Sequence, residues 1–230
     1  MPRPQPAASS EPAPNRRQAI LLAAEQLFAE RGYHAVSIRD IASAAGVPLA
    51  LVGYYWGAKH ELYHAIFETW QPSISERLAR LQAVMATADE PGALERLLTA
   101  FIDPLVALHA DPAGRHYAQM AARDLAAPTV ESERAAVEFF DPMAHAYLDA
   151  LQQLYPQRSR GDLAWCYQFM LGAVLHFLSD RRVERLSRGE NQASDPAQQA
   201  RLIQFVAAGF RALLDPPART TARTNARRKP

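Results

Sequence analysis

Few side chains in this sequence stand at the spacing that catalysis or metal binding requires. His60 and His64 are four residues apart, so on a helix their imidazoles leave one face, as the first half of a zinc site would. No third ligand follows at a suitable spacing, and two side chains alone hold zinc poorly, so no metal is expected. Cys166 lies inside an apolar run, where a thiol stays protonated and inert. As the single cysteine it excludes an internal disulfide and fits a reducing cytosol. No nucleophile elbow, phosphate-binding loop or dinucleotide fingerprint is present. The expectation is a protein that is no enzyme and carries no cofactor.

A different chemistry is written into residues 37 to 63. Ser37 followed by Asp40 is a capping-box pattern that starts a helix at Ile38. Gly46 falls where a helix C-terminus needs the left-handed conformation that glycine adopts cheaply. Pro48 suits the first turn of the next helix, where its missing N–H costs nothing. Two short helices joined by about four residues with a glycine have the geometry that lays the second helix into a DNA major groove.

These residues resemble the TetR family of bacterial transcriptional repressors. That family's pattern runs Thr or Ser, Ile-Ala, Ala-Gly-Val, a short recognition helix, an aromatic pair and Lys-x-x-Leu. Here it is carried by Ser37, Ile41-Ala42, Ala45-Gly46-Val47, Leu51 to Tyr55, Trp56, and Lys59 with Leu62, within about residues 15 to 67. The resemblance implies a homodimer on a double-stranded inverted-repeat operator, released when a small-molecule inducer in the larger domain moves the fourth helix. Ser37 would hold a phosphate at the start of the second helix, and Tyr54 and Tyr55 would offer hydroxyls to phosphates. Lys59 would set its ammonium beside the DNA backbone. Arg16 and Arg17 would reach phosphates or the minor groove, or else be ordinary solvated residues, and Arg39 would meet a base edge. Tyr54 and Trp56 read alternatively as core anchors, and for Trp56 that reading is preferred. The recognition helix departs from the family in its polarity. Pro48, Leu49, Ala50, Leu51, Val52 and Gly53 offer almost no side-chain hydrogen bonds, so readout would lean on thymine methyls, Arg39 and DNA shape.

The remaining sequence must position this segment. Formal net charge is only +1, and the basic residues Arg219, Arg223, Arg227, Arg228 and Lys229 crowd the end, leaving the rest net acidic. No apolar run reaches the roughly 18 residues of a membrane span and no signal peptide opens the chain, which predicts a soluble, cytoplasmic protein. Residues 1–14 hold five prolines and are expected to be disordered, as is the basic tail 216–230. Asn15 with Gln18 reads as the cap of a first helix, with Ile20, Leu21, Ala24, Leu27 and Phe28 at helical spacing. The three-helix head would fill 15–58, and a helical ligand-binding and dimerisation domain 59–215. A fourth helix from Lys59 meets Pro72, so a kink or break is expected near Trp70 and Gln71. No segment alternates as a strand does, so the fold class is all-α.

Two late segments, about 162–186 and 197–214, differ from the others. Leu163 to Leu178 contains no charged residue, and a helix apolar all round must be covered on every side. The pair therefore reads as half of a four-helix dimer interface, or alternatively as a monomer's central core. His116, Tyr117, Met120, Arg123, Phe140, Trp165, Phe169 and His176 combine apolar walls with polar tips, the composition of a pocket for an apolar or acyl-like ligand. Arg123 would pair with an acidic ligand group, or with Asp124 or Glu131. A helical binding module that never touches DNA is the competing reading.

Overall fold

The computed structural model describes residues 16–215. The two segments expected to be disordered, and Asn15 of the expected first cap, lie outside the described residues. Within them the chain is all-α, with no strand. Helix α1 (Arg16–Arg31), α2 (Ile38–Ala44) and α3 (Leu49–Trp56) form the head. Ile20, Ala24 and Phe28 of α1 meet Ile41 of α2 and Val52 of α3 in its core, closed from below by Leu62 and Ile66 of α4 (Lys59–Met85).

Helix α4 serves both halves of the molecule. Of the kink or break expected near Trp70 and Gln71, the break does not occur: the helix runs on through Pro72. An interior proline deletes one ladder bond and costs about 3 kcal/mol. Here the turns on either side are both anchored, Phe67 in one direction and Ile74, Arg77 and Leu81 in the other, each of them buried. Burying each large apolar side chain contributes about 1.5–3 kcal/mol, enough to hold the helix across the defect.

The larger half comprises α5 (Ala93–Ala110), α6 (Arg115–Ala126), α7 (Val130–Ala135), a π-helical turn (Ala136–Phe140), α8 (Asp141–Leu154), α9 (Arg160–Ser179), α10 (Arg182–Leu186) and α11 (Gln199–Leu214). α1 lies along α6, while α4 packs on α5 and α8. The head thus rests on the larger half through α6 as well as through the shared α4. α9 and α11 pack on each other at the far side.

Candidate functional site

The turn between α2 and α3 is built by local chemistry. Ser37 Oγ accepts from the Asp40 N–H at 3.2 Å while Asp40 Oδ2 accepts from the Ser37 N–H at 2.8 Å, closing the reciprocal cap. The Ser37 hydroxyl also donates to Asp40, so its proton is already engaged within the cap. Hydrogen bonds from Ser37 hold the Asp40 carboxyl below the usual carboxylate range. Gly46 takes φ +63°, a region that costs other residues about 1–2 kcal/mol. Pro48 sits just ahead of α3, as its N-cap residue.

α3 presents the face that a duplex would meet. Val52 points into the core, whereas Pro48, Leu49, Ala50 and Gly53 are exposed and Tyr54 is 79% exposed. No side chain caps the start of α3, so its first N–H groups are free to hold a phosphate. Tyr55 is half-buried, in edge contact with Tyr54 at 5.1 Å. Arg16, Arg17 and Arg39 are exposed. Arg17 is not freely solvated, because its guanidinium lies 4.0 Å over the Trp56 ring and its carbonyl accepts from the Trp56 indole at 3.1 Å. Trp56 therefore fastens the start of α1 to the end of α3.

Lys59 points elsewhere than the sequence suggested. Its ammonium donates to the carbonyls of Tyr33 and Val36, each at 2.8 Å, and lies 4.1 Å over the Tyr33 ring. Partial burial holds its pKa below the ordinary lysine value. Two of its three donors thus clamp the α1–α2 connection, leaving one for a phosphate.

The expected ligand residues separate into two groups. Tyr117 and Met120 of α6 are buried, with His116 and Phe140 half-buried nearby. Trp165, Phe169 and His176 are not brought to them. They lie on the open side of α9, with Trp165 63% and Phe169 57% exposed and their rings stacked at 5.6 Å. His176 is exposed there too, its Nε2 2.9 Å from Asp180. Phe205 and Leu213 of α11 are likewise exposed, which makes one broad apolar surface across the two helices. The first of the two late segments contains α9 and the short α10, with a break after Ser179.

Arg123 is also corrected. Its Nη2 donates to the Glu30 carbonyl at 2.9 Å, and its side chain packs over Gly32 just past the end of α1. The last turn of a helix has carbonyls without partners, and a guanidinium satisfies one well. Asp124 takes instead the hydroxyl of Tyr63 in a short hydrogen bond. Burial pushes the Asp124 carboxyl up to about 6 and raises the Tyr63 phenol as well.

Two buried charges escaped sequence reasoning. Glu25 of α1, only 3% exposed, accepts from the Trp70 indole at 2.9 Å. Burial raises its pKa, opposed first by that bond, then by His116 and the Tyr117 backbone N–H in the first turn of α6. Trp70 in turn stacks on Tyr117 with ring centres 5.2 Å apart. Arg77 of α4 is 2% exposed, and its one hydrogen bond is from Nε to the Ser73 carbonyl at 3.3 Å. Both stood in the sequence at apolar-face positions, Glu25 between Leu21 and Phe28 and Arg77 between Ile74 and Leu81.

Clefts open on the surface of the described residues. A groove of about 510 Å³ between the head and the α7 region is lined by Arg17, Trp56, His60, His64 and several glutamates. There His64 sits 2.8 Å from Glu138 instead of pairing with His60. A cleft of about 240 Å³ lies beside Phe67, Asp124 and Phe140.

Residues 20–66 match the model of bacterial regulatory proteins of the tetR family, and residues 99–209 match the tetracyclin repressor-like C-terminal domain. The chain is 33% identical over 92 residues to the HTH-type transcriptional activator FasR of Mycolicibacterium smegmatis, covering 40% of this chain and 41% of that protein. It is 29% identical over 107 residues to the HTH-type transcriptional repressor KstR2 of Rhodococcus jostii, covering 46% and 51%. The matches thus span about half or less of these relatives' lengths. The fold is shared with the fatty acid degradation regulator FadR of Bacillus halodurans (TM-score 0.56, 18% identity, 87% of this chain and 99% of that one). It is shared too with FadR of Bacillus subtilis in complex with stearoyl-CoA (TM-score 0.54, 17% identity, 84% and 98%). With a helix-turn-helix head and a repressor-like helical domain matched in order along one chain, this protein belongs to the TetR family of bacterial regulatory proteins.

Proposed function

We propose that this protein is a ligand-responsive, DNA-binding transcriptional repressor that acts as a homodimer. The observation carrying the reading is α3, whose outer face and uncapped N-terminus stand free on a rigid three-helix core. Leu49, Ala50 and Tyr54 would enter the major groove, Arg39 would meet a base edge, and Arg16, Arg17 and Tyr55 would touch the backbone. The exposed aromatic surface of α9 and α11 supports a second copy as its cover. Two heads on one rigid dimer read an inverted repeat with centres about 34–36 Å apart and gain affinity through effective concentration.

An inducer in the larger half would act by preferring the arrangement whose heads no longer match that spacing. A coupling of about 1–3 kcal/mol suffices for regulation. An acyl-like inducer is supported by the apolar interior around Tyr117 and Met120 and by the fold shared with a regulator crystallised with stearoyl-CoA. The test is a gel shift on DNA from upstream of the protein's own gene, at two salt concentrations, with Arg39→Ala and Tyr54→Ala beside the parent. Binding that weakens with salt and falls in both variants is expected. Sequence-specific binding by a chain lacking residues 1–57 would sink the reading, and no salt-dependent binding at all would favour the helical binding module.

A further inference from the structure

The sequence pointed to Arg123 as the cation that meets an acidic ligand, but Arg123 is engaged with the end of α1. A second arginine is available. Resting on the reading of a ligand-responsive regulator, we propose that the larger domain binds a small apolar carboxylate whose carboxylate pairs with the Arg77 guanidinium and accepts a hydrogen bond from the Tyr117 hydroxyl.

Arg77 is the starting point because a guanidinium is charged at every working pH and is seldom buried without an anion. This one is 2% exposed and has a single hydrogen bond, to a carbonyl of its own helix. The nearest acid in sequence, Glu76, is turned to Arg80 at 2.7 Å. The Arg77 backbone carbonyl accepts from the Tyr147 hydroxyl at 3.3 Å, which fixes that turn of α4 against α8. The tyrosines 117, 147 and 167 surround the charge within electrostatic reach, and none is an anion at neutral pH; Glu76 acts on it only as the last and weakest of these neighbours, without a hydrogen bond to it among the described residues.

The Tyr117 hydroxyl is the second, independent observation. It is buried and has no hydrogen-bond partner among the described residues. A buried hydroxyl without a partner is uncommon, because the lost water is not replaced. An orphan donor and an under-satisfied cation within electrostatic reach of each other together call for an acceptor carrying negative charge. A carboxylate answers both, accepting two parallel bonds from a guanidinium and a third from a phenol. It also carries one charge, neutralising Arg77, whereas a phosphate dianion would leave net charge in an apolar core. Phe101, edge-on to Tyr147 at 4.9 Å and to Tyr167 at 5.6 Å, would flank the ligand's apolar body.

The site would also explain how occupancy is sensed. Tyr117 stacks on Trp70, and Trp70 holds Glu25 of the head. A ligand drawing on the Tyr117 hydroxyl would therefore disturb the stack that anchors α1.

Isothermal titration calorimetry on the full chain, with sodium hexanoate, decanoate and hexadecanoate, tests the proposal. 1-Decanol serves as the uncharged twin of decanoate and decyl phosphate as its dianionic one. Saturable binding of at least one carboxylate is expected, about tenfold or more tighter than the alcohol and tighter than the phosphate. Arg77→Met should abolish that preference for charge, and Tyr117→Phe should weaken it a few-fold. Thermal unfolding guards against a folding artefact. Without ligand, Arg77→Met should melt at or above the parent, because an unpaired buried charge has been removed, and carboxylate should no longer raise its melting temperature. Equal carboxylate affinity in parent and Arg77→Met, a lower melting point for that variant, tighter binding of the phosphate, or no binding by any carboxylate would each overturn the proposal. The gel shift is read separately: carboxylate binding without DNA binding would refute the regulatory reading and leave this site standing, and the reverse result would do the opposite.

Discussion

Replacing Trp70 by Phe removes one hydrogen bond at the junction between head and larger half. A phenyl ring can still stack on Tyr117, while the indole N–H that meets Glu25 at 2.9 Å is lost together with the volume of the second ring, and the pH dependence separates the bond from the pH-independent loss of packing. Glu25 is 3% exposed, so water does not replace the donor. Leaving a buried charged acceptor short of a partner costs about 1–3 kcal/mol. The Tyr117 backbone N–H still favours its charge, which places the loss in the lower part of that range, about 1–2 kcal/mol. For a chain of this size a kilocalorie shifts the melting point by about 2–4 °C, so a fall of about 2–8 °C is expected by circular dichroism at pH 8. The pH dependence gives the sharper check. Burial raises the Glu25 pKa, so the native state holds its proton to higher pH than the unfolded chain does. This group's contribution is therefore best below the ordinary glutamate value and declines as pH rises through the raised one. Deleting the indole donor raises that pKa further, so the deficit of Trp70→Phe should shrink at pH 5. Adding Glu25→Gln should recover most of the pH-dependent loss at pH 8. An equal deficit at both pH values, with no recovery from Glu25→Gln, would refute the reasoning.

Lys59→Met should lower stability by about 1–3 kcal/mol, because it strips a charged donor from two carbonyls, while leaving the slope of log affinity for DNA against log salt unchanged. An unchanged melting point with a slope reduced by about 0.9 would identify Lys59 as a phosphate contact instead. Tyr63→Phe removes the bond that opposes burial at Asp124, so a carboxyl titrating at about 6 should move higher when followed by NMR; a lower value would contradict the geometry. Trp165→Glu puts a charge on the exposed face of α9 and should yield monomers in sedimentation velocity. A dimer that survives it would place the contact elsewhere.

What was legible in the sequence was local. The Ser37–Asp40 cap, the positive φ of Gly46 and the start of α4 at Lys59 all depend on residues within a few positions of one another. What was not legible depends on partners far along the chain. Lys59 finds carbonyls 26 and 23 positions earlier, and Arg123 a carbonyl 93 positions earlier. Nothing in a single-sequence pattern ranks those contacts above a phosphate or a ligand. Trp165 and Phe169 were assigned to a pocket because apolar type signals burial without saying what does the burying. Pro72 does not break α4 for the related reason that packing on both flanks outweighs one missing bond. Arg77 and Glu25 did leave a signal, a charge at an apolar register, and it is the most useful one for locating function.

Head and larger half share one apolar core, and polar contacts from α6 pin it at several points. Tyr117 of α6 supports Trp70 and so Glu25, Asp124 takes the Tyr63 hydroxyl, and Arg123 donates to the end of α1. Apolar surfaces tolerate a sliding shift of α6 against α1, but hydrogen bonds weaken steeply once distance and angle leave a narrow range. A junction pinned by several such bonds therefore holds one position until a bond is exchanged, then settles in another. Losing one or two of them is worth about 1–3 kcal/mol, the scale of a regulatory coupling. On the proposed reading, α6 together with α4 would carry ligand occupancy to the heads. Trp70→Phe should then retain DNA binding while reducing the change in DNA affinity that a ligand produces. A variant whose ligand response equals the parent's would show that the signal takes another route.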